Sequence, residues 1–149
     1  MQNITRFASI NPVNNKLIKA FDFISDSALS EKIASADKGY RVHRARTFAE
    51  RAQMLNKMGN LLESRASEVA KIISMEMGKP LAAAKGEVMK TVGHFKYYAE
   101  NGEKFLKPKP IICGAKEAYI EYQPTGPLFC KLLNECRYNA LEFSCLASF

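Results

Sequence analysis

The sequence predicts a mainly α-helical chain with short β elements, and three observations carry that expectation. From Leu55 to Met77 apolar residues recur in steps of three and four, at Leu55, Met58, Leu62, Ala66, Val69, Ile73 and Met77. That period turns one helix face into a core. Thr47 is followed three residues later by Glu50, the pair that closes a capping box at a helix start. Two short extended stretches flank Asn14-Asn15, and Asn tolerates the positive φ that a tight turn needs.

Residues 8–13 and 16–21 are therefore expected to pair as a β-hairpin. Ser27 or Ser30 is expected to cap a first helix, with Glu31 in its first turn, running to about His43. The second helix starts at Thr47 and continues through Met77. Gly78 suits a left-handed C-cap, and Pro80 cannot continue a helix but can begin one. A third helix is expected over Leu81–Phe105, with Ala84, Val88, Val92, Phe95 and Ala99 on one face. Gly86, Gly93 and Gly102 weaken it and invite kinks or breaks. The run Lys107-Pro108-Lys109-Pro110 ends it. Residues 118–122 read as a strand and 124–127 as a turn. The layout is hairpin, three helices, strand. Its last strand has no evident partner in the chain, so the architecture is incomplete, with an edge open to another chain.

Composition narrows the function classes. A chain of 149 residues suits one domain, and 47% apolar residues is too many for a disordered chain. No apolar run reaches the length of a membrane span. Residues 1–7 do not resemble a signal peptide, so a cytoplasmic protein away from membranes is expected. The net charge of +7 raises nucleic-acid binding. Lys and Arg are nevertheless mixed with Asp and Glu, without a basic cluster or aromatic–basic interleaving, so an ordinary solvated basic surface is expected instead. The four cysteines, Cys113, Cys130, Cys136 and Cys145, form no CxxC pair. Their spacing fits neither zinc nor a disulfide framework. His43 has no Cys or carboxylate at ligand spacing and reads as a half-exposed helix residue.

Several phrases then fall in order along the chain: Ile10-Asn-Pro-Val-Asn-Asn15, Ser74-Met-Glu-Met-Gly-Lys-Pro80, Glu87-Val88, Phe95-Lys-Tyr-Tyr-Ala-Glu-Asn101 and Glu121-Tyr-Gln-Pro-Thr-Gly-Pro127. Together they resemble the N-terminal part of aldehyde dehydrogenases, most of all the bacterial succinate-semialdehyde type. Two departures stand out: Asn14-Asn15 replaces the Thr-Gly of the family hairpin, and His43 stands where the family usually has Trp. The resemblance implies that residues 1–127 are the N-terminal segment of an α/β aldehyde dehydrogenase fold. It also implies a parent reaction, the NAD- or NADP-dependent oxidation of an aldehyde to a carboxylic acid. In the family a Cys thiolate attacks the aldehyde and hydride passes to the nicotinamide. A Glu activates water, an Asn and a backbone amide hold the oxyanion, and a Rossmann-type glycine turn cradles the cofactor. All of these lie after the PxGP turn. The chain contains neither GxGxxG nor GxxxxG, and its late cysteines lack the flanking glycines of the catalytic segment. No catalytic, cofactor-binding or metal-binding residue is therefore assigned. The chain alone is expected to bind no cofactor and to have no activity.

Residues 128–149 do not follow the family. One permitted set of codons for Asn139–Phe149, read one nucleotide later, spells Met-Pro-Trp-Asn-Phe-Pro-Val-Trp-Gln-Val. That is the family phrase expected after the turn. The hypothesis is an insertion near residues 128–135 that shifts the frame, with a stop codon after Phe149. The nucleotide sequence tests it directly, and a gene without that phrase in the shifted frame ends it. The competing structure for this tail is an amphipathic helix using Leu132, Leu133, Cys136, Leu141 and Phe143.

Three functional readings follow. The first is a truncated dehydrogenase whose helix faces, lacking their partner domain, self-associate or aggregate. Burying a Leu or Phe contributes roughly 1.5–3 kcal/mol. A fold is stable by only about 5–15 kcal/mol, so losing several burials is serious. The second is one half of a split enzyme completed by a second chain. The third is a non-enzymatic basic helical binding module, testable by its salt dependence on nucleic acid.

Overall fold

The computed structural model describes residues 6–129. Among these the order is β1 (Arg6–Ile10), β2 (Leu17–Asp22), α1 (Asp26–Arg44), α2 (Phe48–Ser64), α3 (Ala66–Met77), α4 (Leu81–Leu106), β3 (Lys109–Pro110) and β4 (Tyr119–Ile120). The expected mainly helical chain with short strands is found, with four helices in place of three. Residues 130–149, which hold most of the tail considered above, lie outside the described residues.

β1 and β2 pair antiparallel, Phe7 opposite Phe21 and Ala8 opposite Ala20, with a register shift between Ser9 and Ile10. The turn uses the asparagines as expected. Asn15 sits at φ 54°. The Asn11 side chain accepts from the Val13 N–H at 2.9 Å, and the Asn14 side chain accepts from the Lys16 N–H at 3.0 Å. Such local side-chain bonds replace the backbone pairing that a turn gives up.

Helix α1 is capped by Ser25, not by Ser27 or Ser30. Ser25 is extended, at φ −72° and ψ 155°, and its side chain accepts from the Ala28 N–H. Ser27 hydrogen-bonds to the Ser25 hydroxyl, and Ser30 donates to the Asp26 carbonyl four residues back. Both later serines are thus inside the helix, and Ser30 turns back to the backbone as mid-helix serines do. None of the residues of α1 is buried. Tyr40 donates to the Pro124 carbonyl at 3.0 Å. Arg51, from α2, donates to the carbonyl of Arg44, the last residue of α1, and to that of Arg46 just beyond it.

The expected capping box is complete: Thr47 accepts from the Glu50 N–H, and the Glu50 carboxylate accepts from the Thr47 N–H at 2.7 Å. The helix it starts does not run unbroken to Met77. It stops at Arg65, whose φ of −102° and ψ of 11° leave the helical region. Arg65 then opens α3 and binds Glu68 with both guanidinium arms, at 2.9 and 2.7 Å. α3 ends as expected at Gly78, left-handed at φ 68° and ψ 16°. α4 runs unbroken past Gly86, Gly93 and Gly102.

The core lies between these helices. Ala66, Ala70 and Ile73 of α3 meet Ala84 and Val88 of α4. Leu55 of α2 meets Phe95 of α4, with Tyr98 and Ala99 beside them. Lys96 binds Glu63 at 2.7 Å over the rim of the α2–α4 contact. Thr91 is buried on α4 because its hydroxyl donates to the Glu87 carbonyl one turn back. The last strand does have a partner: β4 pairs antiparallel with β3, Lys109 opposite Ile120 and Pro110 opposite Tyr119. Proline lacks an N–H, so this pairing stays two residues long and falls at the end of the α4 terminator.

Candidate functional site

Two places combine sequence motif with geometry. The first is Glu76-Met77-Gly78-Lys79-Pro80, the end of α3 and the turn that leads into α4. Glu76, half-buried, accepts from the Ser9 hydroxyl at 2.8 Å, reaching back to β1. Gly78 lies against the hairpin turn. A Cβ placed there would stand 3.1 Å from Pro12 Cγ and 4.0 Å from Val13 Cγ2. Lys79 binds Glu87, one helical turn or more into α4. Pro80 supplies the first bend of α4, at φ −55°. The motif is thus a structural joint, held by Glu76, Gly78, Lys79 and Pro80.

The second is an apolar cleft of about 190 Å³ lined by Met58, Leu61, Leu62, Arg65, Val69 and Phe95. It opens where α2 breaks into α3 over the flank of α4. Leu61 and Met58 are exposed on its margin, at 60% and 40%. None of the lining residues is a thiol, an imidazole or a carboxylate, so the cleft can bury an apolar side chain but cannot move a proton. Its one charged group, Arg65, is engaged with Glu68.

The perturbed carboxylates are not among the lining residues and have structural causes. The Thr47 backbone N–H, helped by its hydroxyl, holds the Glu50 carboxyl below the usual carboxylate range. Hydrogen bonding and then charge attraction from Arg65 do the same for Glu68. Both groups are cap or helix-pair residues on the surface. His43 is half-buried near the end of α1, with its ring Nδ1 3.5 Å from Arg46. Cys113 is exposed between β3 and β4. No three His, Cys, Asp or Glu side chains gather as a metal-binding group among the described residues. No described helix is long and apolar enough to cross a membrane. Sequence reasoning had read Glu76 and Lys79 only as letters of a motif. Their partners, Ser9 and Glu87, lie far off or a turn away, and only Glu87 stood in a phrase that marked it.

The model of the aldehyde dehydrogenase family matches residues 1–130. The chain is 42% identical over 123 residues to a succinate-semialdehyde dehydrogenase [NADP(+)] of Mycobacterium avium. It is 40% identical over 122 residues to succinate-semialdehyde dehydrogenase [NADP(+)] 1 of Mycobacterium tuberculosis. Each match takes in 80% of this chain, and the chain spans only 26% and 27% of those proteins. The solved succinic semialdehyde dehydrogenase of Streptococcus pyogenes, in complex with NADP+, superposes with a TM-score of 0.76 at 29% identity. That superposition covers 80% of this chain and 27% of the other.

Proposed function

The chain belongs to the aldehyde dehydrogenase family, and from that premise we propose that it is the N-terminal segment of an NADP-dependent succinate-semialdehyde dehydrogenase, without activity of its own. The observation that carries this reading is the similarity to two enzymes of that name along four-fifths of the chain, joined to a span of about a quarter of their length.

Chemistry supports the second half. Oxidising an aldehyde to an acid needs a nucleophile to add to the carbonyl, an acceptor for the departing hydride and a base to activate water. The nicotinamide cofactor is the hydride acceptor when such an enzyme is assembled. In this chain the cleft has no nucleophile or base, the perturbed carboxylates are helix caps and pairs, and no GxGxxG turn occurs in the sequence. What the segment does supply is a scaffold. The uncovered α1 face and the open cleft beside Leu61 are surfaces that a following domain can bury.

The tail belongs to the same reading: residues 128–149 are taken as translated out of frame, and the DNA after codon 127 decides it. The main test is direct. Purified chain is mixed with succinate semialdehyde and NADP+, and NADPH is followed by absorbance. No turnover is expected, and NADPH formed by this chain alone would overturn the proposal. A second reading, the split enzyme, is favoured by one feature: the phrase hidden in the shifted frame begins with Met, as a new chain would. Co-expression with a polypeptide starting at that Met is its test, and an inactive, unassociated pair removes it.

A further inference from the structure

We propose that the Glu76–Pro80 turn is a clasp that fixes the β1–β2 hairpin to the helical core, with Ser9 and Glu76 as its positioning residues. This does not depend on the functional reading above. Among the described side chains of the two strands, Ser9 is the only buried one, at 9% exposure. The rest of the hairpin is exposed or half-buried, and its rings gather on one another: Phe7 stacks on Phe21 at 5.3 Å and meets Phe23 at a tilt, at 5.6 Å. A two-stranded ribbon of this kind has little stability by itself. Its position must therefore come from where it touches the helices.

Two contacts meet at one turn. The Ser9 hydroxyl donates to Glu76 across 67 positions of sequence. The Pro12 ring sits on Gly78 so closely that a Cβ there would be 3.1 Å from Cγ. Gly78 also needs its left-handed φ of 68° to end α3. Its lack of a side chain thus serves two ends at once, the helix stop and the seat for Pro12. Lys79 anchors the far side of the turn to α4 through Glu87. The register shift in β1 falls right after Ser9, and such shifts re-aim a side chain.

Amide hydrogen exchange on the full chain tests the clasp, with the hairpin amides as readout and the α4 amides near Val88 as control. Ser9→Ala and Glu76→Ala should each speed hairpin exchange about fivefold, the size of one lost hydrogen bond, and leave the α4 amides within about twofold. The double variant should be no faster than the faster single one, because the two residues share one interaction. Gly78→Asn separates shape from backbone strain, since Asn accepts the left-handed cap but adds a Cβ. It should loosen the hairpin, and Pro12→Ala in the same chain should slow exchange again. Additive effects of Ser9 and Glu76, unchanged hairpin exchange, or equal acceleration in α4 would each overturn the clasp. So would a wild-type hairpin whose amides exchange as fast as an unfolded chain.

Discussion

Gly59 on α2 faces Phe95 on α4 so closely that a methyl group on Gly59 would stand 3.3 Å from Phe95 Cβ and 3.8 Å from the Val92 carbonyl oxygen. The two helices come close here, and the absent side chain leaves room for that approach. Gly59→Val should destabilise the fold by about 1–3 kcal/mol through overpacking. Gly59→Ala should cost less, because Ala gains about 1 kcal/mol of helix propensity over Gly. Urea unfolding of the two variants checks the order. A Val variant as stable as wild type would mean that the helices do not meet at Gly59.

Neighbouring isoleucines offer a paired test of the α3 face. Ile73 is 2% exposed and packs between Ala70 and Val88, whereas Ile72 is 38% exposed. Ile73→Ala should cost about 2–5 kcal/mol, the range for a buried aliphatic side chain cut to Ala. Ile72→Ala should stay below ~1 kcal/mol. Equal losses at both sites would show that α3 is rotated from the orientation described.

The α2 start should report on pH. Glu50 is held below its ordinary range by the Thr47 N–H and hydroxyl. A carboxylate depressed in the folded state stabilises above its unfolded pKa, and that contribution is lost as pH falls through the folded value. Glu50→Gln should therefore melt below wild type at pH 7, and the gap should close in acid. Thr47→Ala removes the other half of the box and should cost about 1 kcal/mol. Thermal melts by circular dichroism across that pH range test both. A gap for Glu50→Gln that is constant with pH would rule out the charged cap.

Exposed apolar residues should govern solubility. Ile33 on α1 and Leu61 at the cleft are 63% and 60% exposed. Large apolar side chains this exposed become an aggregation hazard where they join into a patch. Changing both to Gln should raise the soluble yield of the isolated chain. Sedimentation measures the effect, and a double variant that aggregates like wild type would mean that these residues are not the cause.

Local rules were legible in the residues. Asn15 took the positive φ, Thr47 and Glu50 closed their box, and Gly78 ended its helix, because each depends on atoms a few positions away. The break at Arg65 was not legible. No Gly or Pro marks it, and the apolar period runs straight through, since Leu62, Ala66 and Val69 keep facing α4 on both sides. The glycines of α4 erred in the other direction. Their propensity cost argued for breaks, yet packing along two shorter helices holds α4 continuous. Ser25 was passed over for later serines because three candidates lay within six residues, and only backbone geometry separates them. The partner of β4 was missed because β3 is just two residues, one of them proline. As for the site, the motif was visible but its partners were not. Ser9 carries no mark of its distant bond to Glu76.

That bond has a bearing on how the molecule is made. A ribosome releases the hairpin well before the Glu76–Pro80 turn, with the whole of α1 and α2 in between. Until the turn emerges, the ribbon has nothing to dock on. The hairpin is therefore made well before the turn that seats it, and a nascent chain stalled before residue 76 would trail its clustered phenylalanines unanchored.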